Sequence, residues 1–179
     1  MKWMIASDLH GSAYYCEKLW DVFSREKADK LLFLGDLLYH GPRNDLPKDY
    51  APKKVIEMFN AHKEQVLCVR GNCEAEVDQM VLEFPILADY AYLEIDGKRI
   101  FATHGHLYGD KAPLKTGEIL LHGHTHIPRH EIKDGILYLN PGSLSIPKES
   151  STHSYIILEN NKFIWKDIAS LVPYFEMSI

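Results

Sequence analysis

Five short stretches of this 179-residue chain carry side chains that bind divalent cations: Asp8-Leu9-His10, Gly35-Asp36, Gly71-Asn72-Cys73-Glu74, His104-Gly105-His106 and His122-Gly123-His124-Thr125-His126. Asp8, His10, Asp36, Asn72, His104, His124 and His126 offer oxygen and nitrogen donors, with no thiolate needed. Imidazole, carboxylate and amide oxygen together suit borderline-to-hard divalent ions such as manganese, iron or zinc. Two ions need more donors than one, so a shared carboxylate is expected, and Asp36 is the natural bridge. Read alone, each stretch is ordinary: Asp-x-His after a strand caps a turn or helix, and Gly-His-x-His makes a surface loop. The five together point to chemistry.

Elements that must position these donors follow from the hydrophobic pattern. Residues 2–7 read as a strand, and Ser12 caps a helix whose Tyr15, Leu19, Val22 and Phe23 share one face. The run 31–38 has the length of a strand buried on both faces, with Asp36 at its carboxyl end, where open α/β sheets place ligands. A loop through His40, Gly41, Pro42, Arg43 and Asn44 leads to Pro52, which suits the first turn of a second helix with Val55, Met58, Phe59 and His62 inward. Residues 66–69 form a short buried strand, and a short helix is expected over 77–82. From Tyr90 onward, strands follow one another through tight turns. The pairs are 92–95 with 99–103 across Asp96-Gly97, 130–133 with 136–139 across Asp134-Gly135, and 154–158 with 163–168 across Asn160-Asn161; 119–121 stands between. An α/β half followed by a β-rich half predicts two packed sheets with helices outside them.

The length fits a single domain over residues 1–179, with no repeat or linker at which to divide it. Hydrophobic content of 46% and charged content of 25% are ordinary for a globular chain. With 20 basic and 25 acidic residues the net charge is 20 − 25 = −5, which argues against a duplex nucleic-acid surface while allowing a local basic pocket. Cys16, Cys68 and Cys73 lack the paired spacing of a disulfide scaffold or zinc ribbon, so a reducing, cytoplasmic setting is expected. Cys16 and Cys68 read as core. The N-terminus lacks a signal-peptide pattern, and no apolar run is long enough to cross a bilayer. The apolar tail 171–179, with Val172, Tyr174, Phe175 and Met177, motivates a hypothesis of weak self-association into a homo-oligomer.

The ordered motifs Asp-x-His-Gly, Gly-Asp, Gly-Asn-x-Glu, His-Gly-His and Gly-His-x-His resemble those of the calcineurin-like metallophosphoesterase superfamily. The stretch from His40 to Asn44, Cys73 within Gly-Asn-Cys-Glu and the turn Asn140-Pro141-Gly142-Ser143 are similar to the YfcE-type bacterial phosphodiesterases. The resemblance runs from Asp8 to roughly Lys148. It implies an α/β (α+β) fold, a four-layer αββα sandwich of two mixed β-sheets flanked by helices. It also implies that Asp8, His10 and His126 hold one metal, that Asn72, His104 and His124 hold the other, and that Asp36 bridges them. Such a centre, with ions about 3.5 to 4 Å apart, hydrolyses phosphodiester bonds with a metal-activated hydroxide. Mn2+ is the leading candidate, with Fe, Zn or Ni as alternatives, and the partner is a small-molecule phosphodiester. Asn72 would also hold a phosphate oxygen, with Arg43 and His106 as further catalytic candidates. Phosphomonoester or nucleotide-specific hydrolysis is the alternative within catalysis. A protein-binding scaffold like the small retromer subunit is the alternative outside it; the competent donor at all seven positions favours the enzyme.

One residue departs from the wider pattern. Cys73 stands where many members have the histidine credited with protonating the leaving oxygen, and a thiol with pKa near 8.5 is a poor replacement. The expectation is a dependence on metal electrostatics and a preference for diesters or other substrates with good leaving groups. Ser143 is a candidate phosphate contact, His122 a hydrogen-bonding support behind the ligands, and His62 and His153 ordinary surface or helix-end residues.

Overall fold

The computed structural model describes residues 1–95 and 97–179. In chain order the elements are β1 (Trp3–Ala6), α1 (Ala13–Glu26), β2 (Lys30–Phe33), α2 (Pro52–Ala61), β3 (Val66–Cys68), α3 (Glu76–Gln79), β4 (Tyr90–Ile95), β5 (Lys98–Thr103), β6 (Ile119–Leu121), β7 (Arg129–Lys133), β8 (Ile136–Asn140), β9 (Ser154–Glu159), β10 (Lys162–Asp167) and β11 (Pro173–Ser178). They build two mixed sheets, ordered β11-β10-β9-β1-β2-β3 and β4-β5-β6-β8-β7. Strands β1, β2 and β3 run parallel, as do β5, β6 and β8, and antiparallel strands complete both sheets.

The two-residue period of a strand decides the layers. Met4, Ala6, Leu31, Phe33, Tyr155 and Ile157 point to the helix side, where they meet Leu19, Trp20 and Phe23 of α1 and Val55 and Phe59 of α2. Their alternates Ile5, Leu32, Ile156 and Leu158 point between the sheets and meet Ile100, Ala102, Ile119, Leu121, Leu137 and Leu139. A strand buried on both faces must read as a continuous apolar run, as β1, β2 and β6 do. On the outer face of the second sheet, Phe101, Leu120 and Tyr138 are covered by Tyr108, Ala112 and Leu114. That fourth layer is thin: it contains a single 3-10 turn, Gly109–Lys111, tied down by Arg129 donating to Asp110 at 2.9 Å.

Helix α1 starts where Ser12 accepts the Tyr15 N–H at 3.3 Å, and it stops at Lys27 in the left-handed region. Pro52 opens α2. The apolar run 31–38 is only partly strand, because the chain leaves the ladder after Phe33 and turns at Gly35 and Asp36, whose φ angles are 92° and 59°. Leu37 and Leu38 instead bury their side chains in the helix-side core. The short helix lies at Glu76–Gln79, ahead of the expected 77–82, because Asp78 caps it through the Ala75 N–H at 2.9 Å. The apolar tail forms β11 on β10, and Phe175 and Met177 pack into the core between the sheets. Asn160 and Asn161 turn the β9–β10 hairpin with φ of 52° and 59°, as expected for that dipeptide. The expected Asp96-Gly97 turn falls in part on Asp96, which lies outside the described residues.

Candidate active site

Each donor stretch follows a strand: Asp8 and His10 follow β1, Asp36 β2, Asn72 β3, His104 β5, and His124 and His126 β6. Because β1–β2–β3 and β5–β6 are parallel sets, their carboxyl ends fall together in each sheet. Asp8, His10, Asp36, His124 and His126 all have left-handed backbone, with φ between 51° and 68°. Asp and His tolerate that region better than most residues, yet each instance costs on the order of 1 kcal/mol and persists only where its surroundings over-determine it.

Those surroundings are specific. Cβ atoms on Gly71 or Gly123 would collide with Asp36 and with Ser7 and Asp8 respectively, so these two glycines let the loops of neighbouring strands touch. The Glu74 carboxylate accepts the backbone N–H groups of Asp36 at 2.9 Å, Leu37 at 2.6 Å and Gly71 at 2.5 Å, clamping the β2 and β3 loops together. Burial, and next the charge of Asp36, push Glu74 above the ordinary carboxylate range. Asp36 Oδ1 in turn accepts the Cys73 N–H at 2.9 Å. On the other side, buried Asn140 donates to the Gly123 carbonyl at 2.8 Å and to Thr125 Oγ1 at 3.1 Å, holding the His124 loop. Ser143 Oγ donates to the Asp8 carbonyl at 2.7 Å, and Ser145 Oγ to the same oxygen at 3.2 Å. Ser143 is therefore fully buried behind Asp8, and the phosphate contact expected of it is not available.

The donors converge. His10 Nε2 lies 3.3 Å from His126 Nε2, and those two nitrogens lie 3.7 and 3.3 Å from Asp8 Oδ1. His104 Nε2 is 3.5 Å from Asp36 Oδ2 and 3.1 Å from Asn72 Oδ1, and His10 Nε2 is 3.6 Å from Asp36 Oδ2. Behind the cluster, His10 Nδ1 meets the Tyr39 carbonyl at 2.7 Å, His104 Nδ1 that of Leu34 at 2.6 Å, and His126 Nδ1 that of Ile146 at 2.8 Å. A carbonyl can only accept, so each Nδ1 carries the proton, and in the neutral ring each Nε2 turns a lone pair inward. Asp8 Oδ1 is completely buried and has no hydrogen-bond partner among the described residues. A buried carboxylate oxygen without a donor, facing converging imidazole nitrogens, fits a divalent cation.

The field agrees with that fit. Burial pushes Asp8 upward, but the imidazoles of His10, His104 and His126 around it hold it well below its ordinary value. Burial also opposes charge on His104, yet the Asp36 carboxylate 3.5 Å away and the charge of Asp8 raise it to about 9. Positive charge is thus favoured at the point where the Nε2 atoms meet. Among the described residues, three groups of donors lie within 4.8 Å of one another: Asp8, His10 and His126; Asp8, Asp36 and His104; and His10, Asp36 and Cys73. His124 is outside these groups; its backbone N–H donates to Asp8 Oδ2 at 3.1 Å, and its ring lies 5.1 Å from that of His104.

A cleft of about 510 Å³ opens at the cluster, lined by Asp36, Asn72, His124 and His126 together with Arg43, Cys73 and Lys148 among others. Arg43 and Asn72 thus face the cleft. His106 is not among its lining residues; its ring stands 5.4 Å from His104 and 6.2 Å from His124, with Nδ1 unpartnered. Burial, followed by the charges of His104 and His124, lowers the His106 pKa. The Cys73 thiol is raised by burial and by Asp36, so it is a neutral thiol. His122, pushed down to about 4 by burial, lies 3.1 Å from the Gly123 carbonyl and 3.3 Å from the Asn140 amide, so it supports the loop rather than a ligand ring. His153 is no ordinary surface residue: it stacks on Tyr15, accepts from its hydroxyl at 2.9 Å and reaches the Leu144 carbonyl at 2.8 Å. His62 closes α2 and stacks on Trp20 at 4.0 Å.

Glu74, Asn140 and Lys148 are functional candidates to which sequence reasoning assigned no role. A glutamate three residues beyond a strand-end glycine is a signal that could have identified the first. Asn140 stands in the strand-end turn Asn140-Pro141-Gly142-Ser143, but that turn does not show which loop its amide holds, and nothing local marks Lys148.

Residues 1–162 match the family model described as the calcineurin-like phosphoesterase superfamily domain. The chain is 44% identical over 181 aligned positions to phosphodiesterase YfcE of Escherichia coli strain K12, covering 100% of this chain and 95% of that protein. It superposes on the solved E. coli YfcE phosphoesterase with a TM-score of 0.96 at 42% identity, covering all of both chains. Vacuolar protein sorting 29 from Cryptosporidium parvum shares the fold at a TM-score of 0.67 and 20% identity, over 99% of this chain and 98% of that one.

Proposed function

The chain belongs to the calcineurin-like phosphoesterase superfamily and is a hydrolase of that class, and from this premise we propose that it is a metal-dependent phosphodiesterase with a dinuclear centre. The observation that carries the reading is the orphaned, fully buried Asp8 Oδ1 facing the inward Nε2 atoms of His10 and His126. Asp8, His10 and His126 would hold one cation, Asn72, His104 and His124 the other, and Asp36 would be shared. Bound divalent ions supply Lewis acidity that activates water and offsets charge on the phosphoryl oxygens. Manganese is the ion we assign, by the oxygen and nitrogen character of the donors.

The chain's own groups have separate tasks. The carbonyls of Tyr39, Leu34 and Ile146 hold His10, His104 and His126 in one tautomer, with Nε2 free to bind. Asn72, exposed and lining the cleft, can offer its amide N–H to a phosphoryl oxygen while its Oδ1 faces His104. Arg43, which also lines the cleft, offsets substrate charge. His106, with its lowered pKa and free Nδ1, is the candidate proton carrier at the edge of the site. The neutral Cys73 thiol is a weak acid for a departing alkoxide, which favours phosphodiesters with good leaving groups over phosphomonoesters. The reading includes residues 1–179 as one domain, a small-molecule substrate, and a reducing cytoplasmic setting consistent with three free thiols.

The test is a manganese-supplemented assay of bis(4-nitrophenyl) phosphate against 4-nitrophenyl phosphate, with Asp36→Asn as the control. Diester turnover that exceeds monoester turnover and is lost in Asp36→Asn supports the assignment. Turnover unaffected by a chelator, or retained in Asp36→Asn, would sink it.

A further inference from the structure

We propose that Lys148 is a specificity-determining residue, and that with Arg43 it selects phosphodiesters carrying a second anionic group beside the scissile phosphate. The proposal rests on the phosphodiesterase reading and narrows its substrate class. A cleft of about 510 Å³ falls in the range, roughly 300–1,000 Å³, of sites that enclose a whole small molecule, so it has room beyond the reacting phosphate. Asp36, Asn72, His124 and His126 in its lining are ligand candidates; among the other lining residues the charged ones are Arg43 and Lys148, both cationic.

Arg43 and Lys148 both line the cleft, and neither takes part in an ion pair among the described residues. They come from loops more than a hundred positions apart in the chain, one following β2 and the other following β8. In a chain of net charge −5, two uncommitted cations in one cleft form a local reversal of the overall field. The same lining contains no Phe, Tyr or Trp on which a nucleobase could stack, so recognition there depends on charge.

The Lys148 backbone is also held in place. Its N–H donates to the His126 carbonyl at 3.2 Å, and its own carbonyl accepts from Ser151 N at 3.0 Å and Ser151 Oγ at 2.6 Å. Ser151 Oγ reaches the His126 carbonyl as well, at 3.4 Å. Between Lys148 and Ser151, both Glu149 and Ser150 adopt left-handed backbone, with φ of 53° and 59°. Two consecutive non-glycine residues in that region are costly, and they persist because Ser151 and His126 over-determine the turn. The result fastens the base of a flexible cation to the loop of a metal-ligand candidate while leaving its ammonium free in solvent. A point charge on a flexible stem, lining the same cleft as a planar guanidinium, suits a phosphate or carboxylate of variable position.

The experiment compares two nitrophenyl diesters that differ by one group: thymidine 5′-(4-nitrophenyl phosphate) and the same compound carrying a 3′-phosphate. Wild-type protein with manganese is expected to show the higher kcat/KM on the 3′-phosphorylated diester. Lys148→Met should reduce that preference about tenfold, the size of a charge-assisted contact, chiefly through KM. Lys148→Arg should restore most of it, and high salt should erode it in the wild type. Turnover of the plain diester with no preference in the wild type, or an equal loss on both compounds in Lys148→Met, would overturn the proposal alone. No turnover of either compound overturns the phosphodiesterase reading and this proposal with it.

Discussion

His10 and His126 approach Nε2 to Nε2 at 3.3 Å, each ring tied from behind through Nδ1 to a main-chain carbonyl. Two imidazole nitrogens this close, beside a buried Asp8 oxygen that has no donor among the described residues, make a costly arrangement that a cation relieves. Manganese at about a hundred times its dissociation constant should therefore stabilise the fold by about 2.7 kcal/mol. At roughly 2–4 °C per kcal/mol for a chain of this size, the thermal midpoint should rise about 5–10 °C. A chelator should reverse the rise and His126→Ala should abolish it. An unchanged midpoint with manganese in the wild type would contradict the proposed centre.

The Glu74 clamp predicts a stability and affinity defect without contact to substrate. Glu74→Ala leaves three loop N–H groups without their acceptor and should cost roughly 3 kcal/mol in a denaturant titration. Because the same groups shape the Asp36 turn, manganese affinity should fall about 10–100-fold, the usual effect of removing a group that orients a ligand. Full wild-type affinity in a destabilised variant would show that the clamp serves folding alone.

Cys73→His places an imidazole where a neutral thiol now stands, in contact range of Asp36 and His10. A group with pKa near 6.5 donates protons at neutral pH far better than this thiol, and general acid catalysis contributes roughly 10²–10⁴-fold. The expected outcome is a gain on esters with poor leaving groups that exceeds any gain on nitrophenyl diesters. An unchanged ratio of diester to monoester turnover would refute this account of substrate preference.

Acid sensitivity should begin at the last hairpin. Burial pushes Asp167 up, but hydrogen bonds from Thr152 and from the Ser170 and Ala169 region outweigh it and hold its pKa below 3.8. A carboxylate depressed in the folded state contributes stability above its unfolded pKa and loses it as pH falls through the folded value. Hydrogen exchange in β11 should therefore accelerate below about pH 4 ahead of β1, and Asp167→Asn should show the same acceleration at neutral pH. Simultaneous exchange of β1 and β11 at low pH would count against the Asp167 turn as the weak point.

Much of the architecture was legible because its signals are local. The continuous apolar runs Met4-Ile5-Ala6 and Leu31-Leu32-Phe33 show strands buried on both faces, and Ser12 and Pro52 mark helix starts. The run 31–38 misled because hydrophobicity cannot distinguish a strand from a buried turn: Leu37 and Leu38 are as apolar as Leu31, yet Glu74 holds the backbone before them off the ladder. That the tail pairs with β10 was not legible, because a strand's partner is identified only by pairing. Ser143 was read as facing substrate because position after a strand does not reveal which side a turn presents.

The chain's residues by themselves determined which donors exist, that they follow strands, and to which family their order belongs, since donor type and strand period are properties of short segments. Tertiary structure alone decided that His10 and His126 meet at Asp8, that Asp8 Oδ1 is left without a donor, that Glu74 ties two loops together and that Lys148 is bound to His126. Each of these depends on strand order, which places β1 between β2 and β9 and so brings the Asp8 loop against loops far away in the chain. Such contacts join residues up to 137 positions apart, as between Ser145 and Asp8. No local pattern carries them, because the free energy that selects a strand order is shared across the whole core.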